Sequence, residues 1–341
     1  MPPHSPRRCN EFRYGILSYV LTFVEPFGII VFMRRVKVGV IGTGYLGSLH
    51  ARLYQEIETC SLEGICDIDK NRLQEVTQEL SVAGFSDYKE LFSKVDAVSI
   101  AVPTKFHHAI AQEFLKQNIH ILVEKPFTTN LKEADSLIKL ARKKNLTLQV
   151  GHIERFNSAF AAAQKYFKEP YFIECHRLST FPNRSLDVGV VLDLMIHDID
   201  IILGLVKSPI KRIDAVGVNV LTPFEDIANA RVSFHNGCVA NLTASRISDE
   251  AMRKIRIFLK NAYISLDYRN QQAFIYKKEA AGINKVAMPI EKEQPLKKEL
   301  ASFIDCVLNH KEPVVSGEIA REALAVALKI RDLIWKNKRK S

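Results

Sequence analysis

The chain lacks the features of disulfide-stabilised, zinc-stabilised and disordered proteins. Its 341 residues contain six cysteines and no CxxC pair, which argues against a zinc ribbon, a redox dithiol and a secreted disulfide framework. Low-complexity stretches and internal repeats are absent. With 47% hydrophobic and 25% charged residues, the chain is too apolar for general disorder. These features predict about two globular domains in a reducing compartment, which we take to be the cytoplasm.

The net charge of +10 is concentrated at the two ends of the chain. Residues 1–35 carry five arginines and two glutamates, and residues 331–341 carry five basic side chains and one aspartate. The remainder is nearly balanced. Because binding to a phosphate backbone needs a clustered basic surface, we expect no nucleic-acid partner.

An apolar run at residues 14–33 imitates a membrane anchor or a signal sequence. Glu25 would cost about 2.5–3.5 kcal/mol at a bilayer centre, Pro26 interrupts the run, and a strand pattern begins within three residues of Met33. We therefore favour Met33 as the true start over a real anchor. Residues 1–32 are expected to be an extension outside the fold, and no membrane partner is expected.

From Val36 the sequence alternates between short β-rich runs and helical patterns. Five strands separated by helices fill the stretch to about residue 150. Repeated β-α-β units imply a parallel sheet with right-handed crossovers. The predicted fold class is α/β, with a doubly wound Rossmann domain at residues 33–150.

The pattern changes at residues 151–341, which we assign to a substrate-binding and oligomerisation domain. Seven strand-like runs follow one another with few helices between them, which favours an antiparallel sheet. Asn236-Gly237 predicts a hairpin with a type I′ turn. Two helices are predicted at 295–309 and 317–337, the second with Ser316 as its N-cap.

A glycine-rich motif at the end of the first strand predicts a dinucleotide site. It follows a strand, opens a helix, and is followed about twenty residues later by Asp67, the spacing of a Rossmann fingerprint. Asp67 would accept hydrogen bonds from the adenosine ribose and repel a 2′-phosphate, so the cofactor predicted is NAD. Arg72 lies near enough to accommodate that phosphate, so NADP stays open. The motif residues are Gly42, Thr43, Gly44, Tyr45, Leu46 and Gly47.

Two further segments end strands at the same edge of the sheet, where doubly wound folds bind ligands. Pro103, Thr104 and His107 follow the third strand, and an ordinary proline loop is the alternative interpretation. Glu124 and Lys125 end the fourth strand, and the Lys125 side chain would project into the crevice. We expect these residues to contact the cofactor, and Lys125 to contact the substrate as well.

An apolar helix at 190–205 carries a stripe of polar or small residues: Asp193, His197, Asp200 and Gly204. Asp193 and His197 are four residues apart, so they would meet on one face, with the carboxylate orienting a general base. A metal site and a purely structural pair are the alternatives; no third metal ligand is evident, and no metal is predicted.

The segment 151–157 lies where the two predicted domains join. Its polar residues, among them Arg155 and Asn157, suit substrate binding beside an interdomain cleft. A salt-bridged hinge is the alternative.

Three motifs together resemble one known family. The sequences EKP at 124–126, DLMIHD at 193–198 and DIANARVSFHNGCVANLTASR at 226–246 are similar to the glucose–fructose oxidoreductase and inositol dehydrogenase family, Gfo/Idh/MocA. The resemblance implies a Rossmann domain, an open and mainly antiparallel second sheet, and a homodimer or homotetramer. It also implies a catalytic centre of Lys125, Asp193 and His197, which would contact the substrate.

Within that family, GHIERFN at 151–157 is similar to members that oxidise nucleotide-activated amino sugars. The resemblance therefore implies an NAD(P)-dependent dehydrogenase acting on a sugar secondary alcohol. A non-catalytic dinucleotide-sensing scaffold of the same fold is the alternative, and a membrane-tethered assembly protein is a more distant one.

Overall fold

The computed structural model describes residues 19–22, 31–181, 188–280 and 282–338. Most of the apolar run at 14–33 therefore lies outside the described residues. The parts within them are strand β1 (Tyr19–Thr22) and strand β2 (Val31–Arg34), which pair with each other in an antiparallel two-stranded sheet of their own.

A six-stranded parallel sheet follows from Val36 onward. Its spatial order is β5-β4-β3-β6-β7-β8, so the winding direction reverses between β3 and β6, the position at which Rossmann folds bind dinucleotides. The very short strand β5 was not predicted, because two residues carry no hydrophobic pattern. The strands are β3 (Val36–Ile41), β4 (Cys60–Cys66), β5 (Gly84–Phe85), β6 (Ala97–Ile100), β7 (His120–Glu124) and β8 (Leu148–Gly151).

Four helices connect these strands, as the β-α-β pattern predicts: α1 (Tyr45–Gln55), α2 (Lys70–Leu80), α3 (His107–Lys116) and α4 (Leu131–Lys144). A fifth helix, α7 (Pro295–Asn309), returns from the far end of the chain. Its Leu300 and Phe303 are fully buried in one cluster with Val38 and Tyr54. The chain thus crosses back to complete the core of its first domain.

The second main sheet has eight strands in the order β10-β11-β12-β9-β13-β14-β15-β16. Every neighbouring pair is antiparallel except β12 and β9. Seven strands were predicted; the exposed β16 was missed because its side chains show no alternation. The strands are β9 (Phe172–Leu178), β10 (Ile210–Val218), β11 (Ile227–Phe234), β12 (Val239–Ser245), β13 (Met252–Phe258), β14 (Ala262–Asp267), β15 (Gln272–Glu279) and β16 (Gly282–Ala287).

One face of this sheet is buried beneath helices. Strand β11 alternates strictly, with Ala228, Ala230 and Val232 buried and their neighbours exposed or half-buried, the period that a half-covered strand requires. The covering helices are α5 (Ser158–Ala163), α6 (Ile196–Leu205) and α8 (Gly317–Lys338). The predicted limits of α7 and α8 are confirmed within one residue, and Ser316 Oγ lies 3.5 Å from the Ile319 amide that it caps.

The predicted β11–β12 hairpin is confirmed, but its turn is not type I′. Among the turn residues only Gly237 has a positive φ, of +89°, and its amide donates to the Phe234 carbonyl. A type I′ turn needs positive φ at both central residues. The loop is therefore one residue longer than Asn-Gly suggested.

The helix predicted at 190–205 also departs from regular α geometry. Residues Val191–Met195 form a π-helical turn before α6 begins at Ile196. Buried Glu225 holds its start, because its carbonyl accepts from the Val190 amide and its carboxylate from the Val191 amide. A π turn inserts an extra residue into the helical repeat, so side chains on either side lose their i, i+4 alignment.

Candidate functional site

The glycine-rich loop connects β3 to α1 by very close backbone approaches. Gly42 has φ +88°, and a Cβ there would lie 2.6 Å from the Ala101 carbonyl oxygen. A Cβ on Gly47 would lie 1.7 Å from the Gly42 oxygen, whereas one on Gly44 would meet nothing within 4 Å. The loop thus leaves open space at the N-terminus of α1, the arrangement that receives a dinucleotide pyrophosphate.

Asp67, at the end of β4, is hydrogen-bonded to this loop. Its Oδ2 accepts from the Thr43 amide at 2.6 Å and from Thr43 Oγ1 at 2.9 Å, and its Oδ1 accepts from the Asp69 amide. The carboxylate therefore keeps the loop in shape and stands beside the site as a fixed negative charge.

Arg72 supports the same loop from α2. Its Nε donates to the Thr43 carbonyl at 2.9 Å, and its Nη1 pairs with Glu75. These bonds hold the guanidinium against the loop while the side chain stays 38% exposed, and contact of Arg72 with a 2′-phosphate stays a prediction.

His107 is buried and does not face the cofactor crevice. Its Nε2 lies 2.8 Å from the Val102 carbonyl and its Nδ1 lies 3.0 Å from the Pro126 carbonyl. A neutral imidazole has one N–H, so His107 donates to one of these carbonyls and lies beside the other. Because the residue is 1% exposed, the expectation of a cofactor contact is corrected. Pro103 is exposed and Thr104 half-buried at the same edge, so for these two the prediction stands.

Glu124 is likewise buried beneath the crevice. Its Oε1 lies 3.1 Å from His50 Nε2, and its Oε2 accepts from the Lys125 amide. Burial alone would raise its pKa, but His50 and the Lys125 charge lower the pKa of Glu124 below its usual range. The expected cofactor contact is corrected to a supporting role under Lys125.

Lys125 projects from the end of β7 to the π turn of the second domain. Its Nζ donates to the Asp193 carbonyl oxygen and to Asp193 Oδ1, both at 2.8 Å. The expectation that Asp193 orients His197 is corrected, because Asp193 is bound to Lys125. Asp193 lies in the π turn at Val191–Met195, whereas His197 lies in the α6 helix that follows it.

His197 lies behind this pair, 8% exposed. Its ring meets the ring of His152 edge to face, with centroids 5.8 Å apart. Burial, together with the positive charges of Lys125 and Arg177, holds the pKa of His197 well below its usual range. The imidazole is therefore neutral at pH 7, the form that accepts a proton.

Arg155 is bound to the lower part of the polar stripe on α6. Its Nε donates to Asp200 Oδ2 at 2.6 Å and its Nη2 to the Asp200 carbonyl. A Cβ on Gly204 would lie 2.4 Å from Arg155 Nη1. Asp200 and Gly204 thus hold Arg155 in place, and the substrate contact expected of this guanidinium is corrected to an ion pair within the second domain.

Asn157 is also structural. Its Oδ1 caps α5 by accepting from the Ala159 amide, and its Nδ2 donates to the Tyr268 carbonyl at 3.0 Å. The side chain is 3% exposed, so its expected substrate contact is corrected. The hinge alternative describes residues 151–157 better than the substrate-binding one.

Sequence reasoning missed a buried ionic cluster behind the site. Arg177 Nη1 donates to Glu154 at 2.7 Å, and its Nε and Nη2 bind Asp198 in a bidentate pair. These carboxylates raise the pKa of Arg177 in spite of its complete burial. The sequence did contain one signal of this cluster: Arg177 stands at an inward-facing position of the alternating strand β9, where a charged side chain needs buried partners.

Two searches of the described residues bear on the alternatives. In that part of the chain, no group of three or more histidine, cysteine, aspartate or glutamate side chains is placed to hold a metal ion. None of the helices there is long and apolar enough to cross a membrane.

A Rossmann sheet with an open glycine loop, facing a lysine and a histidine carried by two different domains, defines an NAD(P)-dependent oxidoreductase. Comparison with known proteins makes the assignment specific. The GFO/IDH/MocA oxidoreductase model, an NAD-binding Rossmann fold, matches residues 36–152, and the C-terminal domain model of that family matches residues 149–265. The chain belongs to the GFO/IDH/MocA family, which confirms the resemblance seen in its motifs.

Three relatives illustrate the relationship. The chain is 38% identical over 306 residues to the UDP-N-acetylglucosamine 3-dehydrogenase of Acidithiobacillus ferrooxidans, covering 88% of this chain and 97% of that protein; the solved structure of that enzyme superposes with a TM-score of 0.84, covering 88% of this chain and 98% of its own. It is 26% identical to the myo-inositol 2-dehydrogenase of Thermotoga maritima, covering 84% of this chain and 93% of that one. An NAD-binding protein from Listeria innocua, 22% identical, shares the fold with a TM-score of 0.79 over 89% of this chain and 96% of its own.

Proposed function

We propose that the protein oxidises a secondary alcohol of a nucleotide-activated amino sugar and transfers the hydride to NAD. The observation that carries the proposal is the ion pair of Lys125, from the nucleotide domain, with Asp193, from the second domain, while the Lys125 charge also lowers the pKa of His197. Its substrate class is supported by the relative from Acidithiobacillus ferrooxidans, which is named as acting on UDP-N-acetylglucosamine.

NAD would be held by the loop from Gly42 to Gly47, with Asp67 at the adenosine ribose. Support comes from the open space over Gly44 and from the fixed carboxylate beside it. Pro103 and Thr104 are proposed as further contacts at the carboxyl edge of the sheet. When bound, the nicotinamide supplies the hydride acceptor.

Each residue of the centre has a separate proposed task. His197, neutral because of its lowered pKa, removes the hydroxyl proton of the substrate. The Lys125 ammonium stabilises the negative charge that develops on the same oxygen. Asp193 positions Lys125, since it accepts two of its hydrogen bonds, and it no longer serves His197 as the sequence suggested.

Assembly as a homodimer or homotetramer is proposed from the outer face of the eight-stranded sheet, which no described element covers. A cross-strand row of half-buried rings lies there, with Tyr263 and Tyr276 stacked 4.1 Å apart between ring centroids. The row also includes Phe172 and Phe258. Contiguous apolar surface patches are typical of interaction sites. Light scattering coupled to gel filtration would test it, and a monomer at micromolar concentration would contradict it.

The five described cysteines are buried and unpaired. Free thiols persist in reducing compartments, so we propose a cytoplasmic location.

The function is tested by following NADH absorbance with UDP-N-acetylglucosamine, free N-acetylglucosamine, UDP-glucose and myo-inositol as substrates. We expect turnover with the nucleotide-linked amino sugar and much weaker turnover with the free sugars. Tight NAD binding without turnover on any of a broad sugar panel would favour the scaffold alternative instead.

A further inference from the structure

Glu225 is a buried residue that contacts the start of the turn carrying Asp193, and the chemistry proposed above gives it no task. It is 1% exposed and lies in the loop between β10 and β11. Its carbonyl oxygen accepts from the Val190 amide at 3.0 Å, and its Oε1 accepts from the Val191 amide at 3.3 Å. The first amides of a helix have no acceptor within the helix. Glu225 thus supplies the acceptors for two of them at the start of the π turn.

The carboxylate of Glu225 also occupies the space in which a side chain at position 189 would stand. A Cβ on Gly189 would lie 2.0 Å from Glu225 Oε1 and 2.5 Å from Oε2. The Gly189 carbonyl in turn accepts from the Asp193 amide at 3.0 Å. Glu225 is therefore packed against the residue whose carbonyl holds the backbone of Asp193.

A buried ion pair fixes Glu225 relative to this turn. The next residue, Asp226, binds Arg246 Nε through its Oδ1 at 2.9 Å, and both side chains are fully buried. Arg246 Nη1 donates to the Val188 carbonyl at 2.9 Å, directly before Gly189. The same arginine thus holds the residue that follows Glu225 and the residue that precedes Gly189.

The contact that depends on the position of this turn is the one between Lys125 and Asp193. Lys125 Nζ donates to the backbone carbonyl oxygen of Asp193 as well as to its Oδ1, both at 2.8 Å. A side chain can rotate to follow a partner, but a backbone oxygen moves only with its chain. A shift of the turn would therefore break at least one of the two bonds. Catalysis is sensitive to such shifts, because a displacement of about 1 Å can cost about 100-fold in rate.

We propose that Glu225 is a positioning residue for the catalytic centre, which sets the π turn so that Asp193 presents both oxygens to Lys125. This proposal rests on the proposed function. In this role Glu225 acts through the turn and not on the substrate. Loss of its carboxylate should impair the stabilisation that Lys125 gives to the reacting oxygen. It should not weaken NAD binding, because the glycine loop belongs to the other domain.

The test compares Glu225→Leu, which keeps a side chain of similar size but removes both oxygens, with the control Glu322→Leu at an exposed position of α8. We expect Glu225→Leu to lower kcat by about 10- to 100-fold and to leave the NAD dissociation constant unchanged. Glu225→Gln keeps an oxygen acceptor for the Val191 amide and should recover most of the rate. Gly189→Ala, whose Cβ would displace the carboxylate, should resemble Glu225→Leu and replaces it if that variant does not fold. The control should match wild type.

A double-variant comparison separates positioning from a loss of folded protein. If Glu225 acts through Lys125, adding Glu225→Leu to Lys125→Met should cause little or no further loss of kcat, because the group that it positions is already absent. A loss of folded protein would instead lower kcat by the same factor in both backgrounds.

A third measurement does not depend on turnover. In protein labelled with ¹⁵N at the lysine Nζ, without cofactor, the Lys125 resonance should shift in Glu225→Leu and stay in place in Glu322→Leu. An unchanged Lys125 resonance in a folded Glu225→Leu variant, or an equal loss of kcat in both backgrounds, would overturn the inference. Absence of turnover in wild type would contradict the proposed function alone, and the Lys125 resonance would then decide the role of Glu225.

Discussion

Lys125 is held by Asp193 in a way that leaves part of its bonding capacity free. An ammonium group has three N–H donors, and two of them are directed to Asp193, at its carbonyl oxygen and at Oδ1. One donor is left for a substrate oxygen. Both side chains are less than 15% exposed, so the pair is screened from water and its charge acts strongly on a bound alcohol.

Replacing the proposed base tests the centre directly. His197→Ala should lower kcat by roughly 10²–10⁴-fold while NAD binding stays unchanged, because α6 belongs to the second domain. Wild-type kcat should stay constant as the pH falls through 6.5, the ordinary histidine value, because the active neutral form persists down to the lowered pKa. Steady-state kinetics across pH would check both.

Two further results belong to the same experiment. Lys125→Met should also impair turnover, and the double variant should lose less than the product of the single losses, because groups that act together are not additive. A chelator should have no effect on wild type. Activity abolished by the chelator and restored by a divalent ion would instead make Asp193 and His197 metal ligands.

The choice of cofactor is expected to depend on Asp67. Asp67→Ala should narrow the difference between the NAD and NADP dissociation constants by about 1–3 kcal/mol, because it removes both a charged acceptor and a repulsion. Since Asp67 also holds Thr43, Thr43→Val is the matched control: it removes that hydroxyl bond, keeps the charge, and should preserve the difference. Calorimetry with both dinucleotides would check this, and a wild type that prefers NADP would contradict the assignment.

At the level of elements, α6 is docked on the segment 153–156 through the Arg155–Asp200 pair. The guanidinium fits only because Gly204 has no side chain. The same helix binds Arg177 of β9 through Asp198, so the helix that carries His197 is fixed at two points within the second domain. The polar stripe of α6 thus has two parts: His197 belongs to the proposed catalytic centre, whereas Asp200 and Gly204 hold Arg155.

Gly204→Ala should therefore weaken this docking. The added Cβ would lie 2.4 Å from Arg155 Nη1, and overpacking of this kind costs about 1–3 kcal/mol. Gly44→Ala is the counterpart, because its Cβ would meet nothing within 4 Å but would stand where the pyrophosphate is expected. Urea unfolding should show a loss of stability in Gly204→Ala, and NAD titration should show weaker binding in Gly44→Ala. An equal loss of stability in the two variants would contradict this prediction.

Helix α7 carries a fully buried carboxyl group, Glu299, whose two oxygens have no partner among the described residues. Burial, reinforced by Glu124 and Glu154, raises the pKa of Glu299 well above its ordinary value of 4.5. The folded protein therefore keeps this carboxyl protonated where the unfolded chain would release the proton.

The contribution of Glu299 to stability should consequently fall as the pH rises above 4.5, by up to about 1.4 kcal/mol per pH unit, until the raised pKa is passed. Glu299→Gln, which is always neutral, should lose this dependence. Urea unfolding at about pH 5 and about pH 8 would measure it. The substitution Glu58→Gln, at an exposed position, serves as control. Glu299→Gln should stabilise the protein relative to wild type more at the higher pH than at the lower one. An equal gain at both pH values would contradict the prediction.

At the scale of the whole molecule, two sheets with different exposures are joined by the segment after β8. The parallel sheet is covered by helices on both faces, with α1 and α7 on one of them. The eight-stranded sheet, in contrast, presents one face outward. Catalytic groups meet between the domains, so any change in their relative orientation would alter the Lys125–Asp193 distance.

Residues 1–32 are proposed to be dispensable for this architecture. Their described residues, which are β1 and the first two residues of β2, lie in a two-stranded sheet of their own and not in either main sheet. A chain that begins at Met33 should remain in solution with an unchanged NAD dissociation constant and an unchanged melting temperature. Aggregation or loss of NAD binding in that variant would show that the extension belongs to the fold.

The sequence by itself determined the parallel sheet, the glycine loop and most strands of the second sheet. These depend on local patterns: alternation, glycine at a tight turn, and helix limits marked by Pro295 and Ser316. The motifs also indicated the family and the three residues of the proposed centre. Such features are visible in sequence because neighbouring residues, a few positions apart, produce them.

Tertiary structure decided which of these side chains bind each other. Asp193, expected to bind His197, pairs instead with Lys125, 68 residues away. Burial converted His107, Glu124 and Asn157 from expected ligand contacts into supports, and it brought His152 against His197. The reason is physical: hydrogen-bond partners and pKa values depend on what the rest of the chain packs around a group, and that environment is set by contacts between residues distant in sequence.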